Sequence, residues 1–397
     1  MLSEDRWLLP EGVEELLPAE ARHLENLRRV VLDLFESWGY QQVIPPFIEY
    51  IESLLTGTGH DLDLQTFKLI DQISGRLLGV RADMTPQVAR IDARHSVGDR
   101  PSRLCYLGTV LHTQSDHLEK SRSPMQMGAE LYGHAGIASD LEIIRLMLAV
   151  LDAAGVDGIH LDLGHVGIYR TLIGQAGLSG PDETELFDIL QRKAHPELKG
   201  FLASTGIAKH TGEMLNAVID LHGGIEVLSA ARTRLAPAGD AVLNDLSDLQ
   251  AIAERLHDEY PHLPIHIDLA ELRGYHYKTG VVFSAFVPGY GREIARGGRY
   301  DEIGKVFGKA RPATGFSADL KLLARLGEQE EDDFEQRTVF APDHGDPALA
   351  SKIDRLRLEG WVVIRELAGQ RASAREIGCR HELRPAGDTW ELAELND

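Results

Sequence analysis

RLCYLGTVLHTQSDHLEKSRSPMQMGAELYG, residues 103–133, holds two strand-like runs, 104–111 and 125–132, on either side of a polar stretch with three cations, His117, Lys120 and Arg122. That spacing predicts an antiparallel pair joined by a long loop. The second run alternates. Gln126, Gly128 and Glu130 share one face, and Met125, Met127, Ala129 and Leu131 share the other. An amide and a carboxylate shown from one face while the other is buried suit the floor of a polar ligand pocket. The same alternation also fits the solvated face of a half-exposed sheet.

Composition narrows the function classes. The chain has 397 residues, 43% hydrophobic and 26% charged, which predicts a soluble globular protein of two or three domains. No apolar run approaches the roughly 20 residues of a membrane span, and Glu4 and Asp5 replace the basic start of a signal peptide. Cys105 and Cys379 are far apart in sequence and lack metal-ligand spacing, so a reducing, cytoplasmic setting without a thiolate metal site is expected. The 41 basic and 62 acidic residues give a net charge of −21, which argues against tRNA as a partner. The 17 histidines show no H-E-x-x-H pattern, and the chain holds no P-loop, dinucleotide fingerprint or Ser-His-Asp arrangement. No metal or cofactor is expected.

Outward from the opening stretch, the pattern predicts a helix over 21–38 with Leu24, Leu27, Val30, Val31, Leu34 and Phe35 on one stripe, ended by Gly39. Residues 40–50 read as an edge strand interrupted at Pro45-Pro46. A hairpin over 66–71 and 76–80 turns near Gly75, and Thr85 is expected to N-cap a helix with Pro86 at its first position. Asp83 by itself reads as a turn or cap residue. A helix over 139–154 and a strand over 159–168 follow. Residues 174–257 read as a helical insertion, broken at Gly180-Pro181, Gly223-Gly224 and Pro237. Strands return over 264–286. GREIARGGRYDEIGKVFG, residues 291–308, reads as a glycine-rich turn followed by a short helix, and 313–327 as a strand-to-helix passage with Gly315 at the bend. The acidic run 328–335 reads as a solvated linker. A small α/β unit closes the chain, with strands at 338–341 and 361–365 and helices at 347–359 and 372–378.

Four segments together resemble the class II aminoacyl-tRNA synthetases in their histidyl form. Tyr106, Gly108, Gln126, Gly128 and Glu130 match the second signature in order and spacing, and the helix, strand and proline series over 21–50 is similar to the first, which builds the dimer interface in that family. The segment at 80–85, V-R-A-D-M-T, is similar to the family's L-R-P-E-G-T, which implies that Asp83 and Thr85 hold an α-amino group. E-L-R-G-Y-H-Y-K, residues 271–278, resembles the histidine signature, with His276 and Lys278 replacing an aspartate and the tyrosine that helps hold the imidazole. The resemblance implies Arg273 on a ligand carboxylate, Glu130 at a ring nitrogen, Gln126 near the amine and Tyr277 alongside. Arg273 taken alone is an ordinary surface ion-pair residue. Departures fall on the catalytic cations: the arginine of the second signature is His112 and its acid Gln114, while in the third signature the acid is Lys321 and the arginine Leu322. Leucine cannot bind phosphate, and the loss of one such donor costs a few kcal/mol of transition-state stabilisation.

The expected fold is α+β: a class II synthetase-like core over 1–327 with an antiparallel sheet flanked by helices and the insertion at about 174–257, a linker at 328–336 and the C-terminal unit at 337–397. The site expectation is a histidine-like pocket of Asp83, Thr85, His112, Gln126, Glu130, Arg273 and Tyr277, with no catalytic residue. This pattern of loss is similar to the regulatory-subunit branch of ATP phosphoribosyltransferase. The likeness implies a homodimer inside a hetero-oligomer with a short-form catalytic subunit, acting in the first step of histidine biosynthesis under histidine feedback. A free-standing histidine sensor and a working histidine-tRNA ligase are the alternatives.

Overall fold

The computed structural model describes residues 8–56, 60–96, 98, 100–114, 121–272, 274, 275, 277–327, 337–370 and 372–395. The chain divides into two compact units, residues 1–328 and 329–397. In chain order the strands of the first are β1 (Gln41–Gln42), β2 (Ile48–Tyr50), β3 (Lys68–Ile70), β4 (Leu77–Val80), β5 (Ser102–Thr109), β6 (Met125–Tyr132), β7 (His160–His165), β8 (His222–Gly223), β9 (Ile265–Asp268), β10 (Val281–Phe286), β11 (Ala295–Arg299) and β12 (Ala313–Asp319).

Nine of them form one sheet in the order β1-β5-β6-β12-β11-β10-β7-β9-β8, antiparallel except at the β1–β5 and β7–β9 pairs. β5 and β6 pair as the opening stretch predicts; His117 and Lys120 lie outside the described residues. One face is covered by helices Pro18–Ser37 and Ile137–Ala153. Leu24, Leu27, Val31 and Phe35 of the first are buried, whereas Val30, placed on the same stripe by sequence, is exposed. Pro45 and Pro46 carry the chain out of this sheet at its edge into a second one of three strands, β2-β4-β3. Without an N–H, proline cannot continue a ladder. Their carbonyls are used instead: Arg81 Nη1 donates to Pro45 O at 2.8 Å and Gln87 Nε2 to Pro46 O at 2.9 Å.

The insertion between β7 and β9 is helical, with Val166–Ala176, Pro181–Gln191, His195–Ser204, Lys209–Asp220, Val227–Leu235 and Asp240–Glu259 around the short β8. The strand expected over 159–168 therefore stops at His165, where the backbone turns into a helix whose Val166, Ile168 and Tyr169 are buried. GREIARGG is not a turn throughout. Its second half is β11, held between β10 and β12. Gly315 lies inside β12, and the passage into helix Leu320–Leu326 comes at Asp319, whose side chain caps the helix by accepting from Lys321 N at 3.1 Å.

The second unit is a four-stranded sheet, β14 (Val362–Arg365), β13 (Thr338–Ala341), β15 (His381–Ala386) and β16 (Thr389–Glu394), packed on helix Pro347–Leu358. The helix expected over 372–378 is a run of turns, and the β15–β16 hairpin takes the place of unassigned residues. The acidic linker lies outside the described residues.

Candidate functional site

Sheet register brings the site together. Leu104, Glu130, Gly315, Gly298, Val282 and Gly164 stand side by side across β5, β6, β12, β11, β10 and β7, so they share a face. Glycine at 315 is a steric requirement, because a Cβ there would overlap the Glu130 carboxylate. At Gly128 a Cβ would lie 2.5 Å from Tyr106 Oη. These missing side chains leave a floor on which the polar groups of 83–85, 106, 126, 130, 277, 278 and 300 meet.

Glu130 is the centre, 1% exposed. Tyr106 Oη donates to its Oε1 at 3.1 Å and Tyr300 Oη to its Oε2; Tyr300 also reaches Tyr132 Oη at 3.3 Å. Burial pushes the carboxyl up to about 8, against the lowering effect of the two tyrosine hydroxyls. At neutral pH it is therefore largely protonated, and a cation or a strong N–H donor brought beside it would favour release of that proton. Tyr277 stacks on Tyr300, ring centroids 4.9 Å apart. Its hydroxyl is enclosed and has no hydrogen-bond partner among the described residues.

Gln126 joins the floor to the loop before helix Thr85–His95. Its Nε2 donates to Asp83 Oδ1 at 2.7 Å, and its Oε1 accepts from Met84 N at 2.9 Å. Asp83 Oδ1 also accepts from Thr85 N at 2.9 Å, the local turn expected of a lone aspartate. Thr85 is not an N-cap. It is the first helical residue, and its hydroxyl lies 3.0 Å from Tyr106 Oη. The helix gives up a cap bond, and the hydroxyl faces the site. His112 Nε2 lies 3.0 Å from Ala82 O, beside Asp83.

The structure thus gathers Asp83, Thr85, Gln126, Glu130 and Tyr277 into one connected cluster with His112 at its border, while Arg273 lies outside the described residues. Sequence reasoning missed Tyr300, which sits in a segment read as a turn, and left Tyr106 out of the site although its place in the second signature was visible. Lys278 was noted only as a lost tyrosine. Its side chain is partly exposed, yet its ammonium is enclosed and donates to Gly297 O.

Leu322, at the place of the synthetase arginine, is 6% exposed and points into the apolar core. Its neighbour Lys321 pairs with Glu14 at 3.4 Å. Two open clefts, of about 580 Å³ near His257 and His262 and about 460 Å³ near Trp38 and Arg103, lie apart from the Glu130 cluster.

A mostly antiparallel sheet with this polar cluster on one face defines a class II histidyl-tRNA synthetase-like protein. The histidyl-tRNA synthetase family matches residues 12–323, and the ATP phosphoribosyltransferase subunit HisZ C-terminal domain matches 336–393. A solved ATP phosphoribosyltransferase regulatory subunit/histidyl-tRNA synthetase from Bacillus halodurans superposes with a TM-score of 0.80 at 27% identity, covering 93% of this chain and 95% of that one. Histidyl-tRNA synthetase from Nostoc sp. PCC 7120 gives 0.76 at 19% identity over 95% and 91%, a likeness of fold alone. The ATP phosphoribosyltransferase regulatory subunit of Methylococcus capsulatus is 63% identical over 98% of this chain and 96% of its own length, and that of Thioalkalivibrio sulfidiphilus 56% over the whole of both. The chain belongs to the family of ATP phosphoribosyltransferase regulatory subunits.

Proposed function

We propose that this chain is the non-catalytic regulatory subunit of an ATP phosphoribosyltransferase, acting in the first step of L-histidine biosynthesis and in its feedback regulation by histidine. The observation that carries the reading is the full-length similarity to regulatory subunits, extending through the C-terminal unit. Side-chain chemistry supports the loss of aminoacylation: adenylate formation needs fixed cations on the α-phosphate and on departing pyrophosphate, and Leu322 is a core residue while His112 is turned to a backbone carbonyl. The partner is a short-form catalytic subunit, with L-histidine as the ligand of the Glu130 cluster, in a cytoplasmic complex without tRNA. Among the described residues no helix is long and apolar enough to cross a membrane.

A homodimer within the hetero-oligomer is supported by the three-stranded sheet. Phe47, Ile48, Leu69, Ile70, Ile73 and Leu77 are all exposed there, Ile73 at 97%. Ile70 and Leu77 pair across β3 and β4 on one face, Ile48 and Leu69 lie on the other, and exposed apolar residues gathered on so small a sheet support an interface.

The test is to purify the chain with a short-form transferase from the same organism and assay phosphoribosyl transfer to ATP with each protein alone and with both. Activity dependent on the pair and inhibited by histidine is expected. Full, histidine-sensitive activity of the transferase by itself would refute the proposal.

A further inference from the structure

The nine-stranded sheet ends in an edge that is only half covered. β8 pairs with β9 at two positions, His222 with Asp268 and Gly223 with Ile267. There the chain turns away: Gly223 has φ 148°, a conformation that favours glycine, and residues 225 and 226 form a turn. Continued register would have set Ile225 opposite Ile265. On its other side β9 runs parallel to β7, where Leu161 pairs with Ile265 and Leu161 N donates to Pro264 O at 2.9 Å. In a parallel ladder one residue of each such pair turns its N–H and C=O to the neighbouring strand, here Leu161. The N–H and C=O of Ile265 therefore point outward, to the side on which Leu269 N donates to Leu221 O at 3.1 Å, and they have no hydrogen-bond partner among the described residues.

This free edge is one wall of the cleft of about 580 Å³. Ile225 and Leu263 line it beside Ile265, while the end of helix Asp240–Glu259 brings in Glu254 and Asp258, and the turn before helix Val227–Leu235 brings in Glu226. A Cβ on Gly224 would overlap the Glu226 carboxylate, which thus stands where β8 leaves off. None of the three acids has an ion-pair partner among the described residues, and no lysine or arginine is among the residues lining the cleft. We propose that the edge and cleft take up an extended, lysine- or arginine-bearing segment of the partner transferase, which adds a short strand beside Ile265. This rests on the reading above that the chain is a transferase subunit. A donor and an acceptor offered by one residue match a peptide backbone; a small polyamine brings no acceptor for the Ile265 N–H. The alkyl stems of the basic side chains lie on Ile225 and Leu263, with their charge at the three acids. A second copy of this chain is a poor occupant, because at a net charge of −21 it meets an acidic cleft with like charge.

The test uses the full-length chain and a short-form transferase from the same organism. Hydrogen exchange read by mass spectrometry compares residues 263–267 in the chain alone and in the assembly, and calorimetric titration gives Kd at low and at high salt. The Ile265 amide should exchange freely in the chain alone and at least about tenfold more slowly in the assembly. Glu254→Lys combined with Asp258→Lys should weaken assembly by about 10- to 100-fold at low salt and flatten its salt dependence. Lysines near the end of that helix suit its dipole, so the variant chain keeps its fold. Ile265→Pro removes an N–H that the free chain leaves unused and should weaken assembly by about three- to tenfold. An assembly that forms with exchange at 263–267 unchanged, and equally well with the charge-reversed variant, overturns the inference while the subunit reading stands. Protection that rises with the chain's own concentration, without transferase, assigns the cleft to a second copy and overturns it as well. A wild-type chain that fails to assemble with the transferase overturns the subunit reading itself.

Discussion

Glu130→Gln isolates the cost of the buried carboxyl. The folded carboxyl sits at about 8 against an ordinary 4.5, because burial outweighs the hydroxyls of Tyr300 and Tyr106. Between those two values the unfolded chain has released its proton and the folded chain keeps it. Stability therefore falls as pH rises through this window, and it is fully present only at the acid end. Each pH unit is worth about 1.4 kcal/mol, so the whole window amounts to at most about 5 kcal/mol; relaxation and water entry leave about 2 to 3. Glutamine keeps the shape and a carbonyl acceptor for one tyrosine but does not ionise. The variant should be more stable than wild type at pH 8.5 by that amount and nearly equal to it at pH 5. Lys278 works the other way between about 7 and its ordinary value; Glu130 is the smallest of the influences on it, so most of that contribution is common to both proteins. Hydrogen exchange of β5 and β6 amides in urea at pH 5, 7 and 8.5 gives the readout and isolates the unit that holds the site. Equal pH dependence in the two proteins would refute the argument.

Three further outcomes follow from the same geometry. Gly315→Ala forces the Glu130 carboxyl off Tyr106 and Tyr300 and should cost about 2 to 4 kcal/mol in urea unfolding, with histidine sensitivity of the assembled transferase lost. Leu322→Arg buries a guanidinium in the core and should cost about 3 to 5 kcal/mol without producing histidine-dependent ATP–pyrophosphate exchange, alone or combined with His112→Arg; exchange above background would contradict the loss of catalysis. His165 is held down to about 4 by burial and by Arg299, with Asp245 Oδ2 3.5 Å away. Below its ordinary value of 6.5 the unfolded chain takes up a proton that the folded chain refuses. Asp245, raised to about 6 by burial, works the other way over the lower part of this range. The His165 contribution is therefore the difference between wild type and His165→Gln: about 1 to 3 kcal/mol less stability gained, or more lost, by wild type between pH 6.5 and 4, read by exchange from helix Asp240–Glu259.

How much of this was legible in the sequence depends on whether a feature is local or made by register. The alternation at 125–132, the proline break at 45–46 and the helical periods of the insertion are local, and each element forms where its pattern places it. Gly315 is not local. In sequence it reads as a bend before a helix, and only its pairing with Glu130 shows that it keeps a carboxylate's space clear. Tyr300 has the same origin. GREIARGGRY is glycine-rich, and β propensity argues against a strand there, yet the neighbouring strands impose one and aim the tyrosine at Glu130. Thr85 shows tertiary demand winning over a capping preference: Ser, Thr and Asp are favoured caps, but its hydroxyl pairs with Tyr106 from inside the helix. Resemblance to a synthetase signature directs attention to residues the family shares. Lys278 differs from that signature, so the residue that changes the charge of this pocket was read as a loss. Its position over Gly298 and its bond to Gly297 O make it instead a donor placed one strand from Glu130, a position that only the register of β6, β12 and β11 reveals.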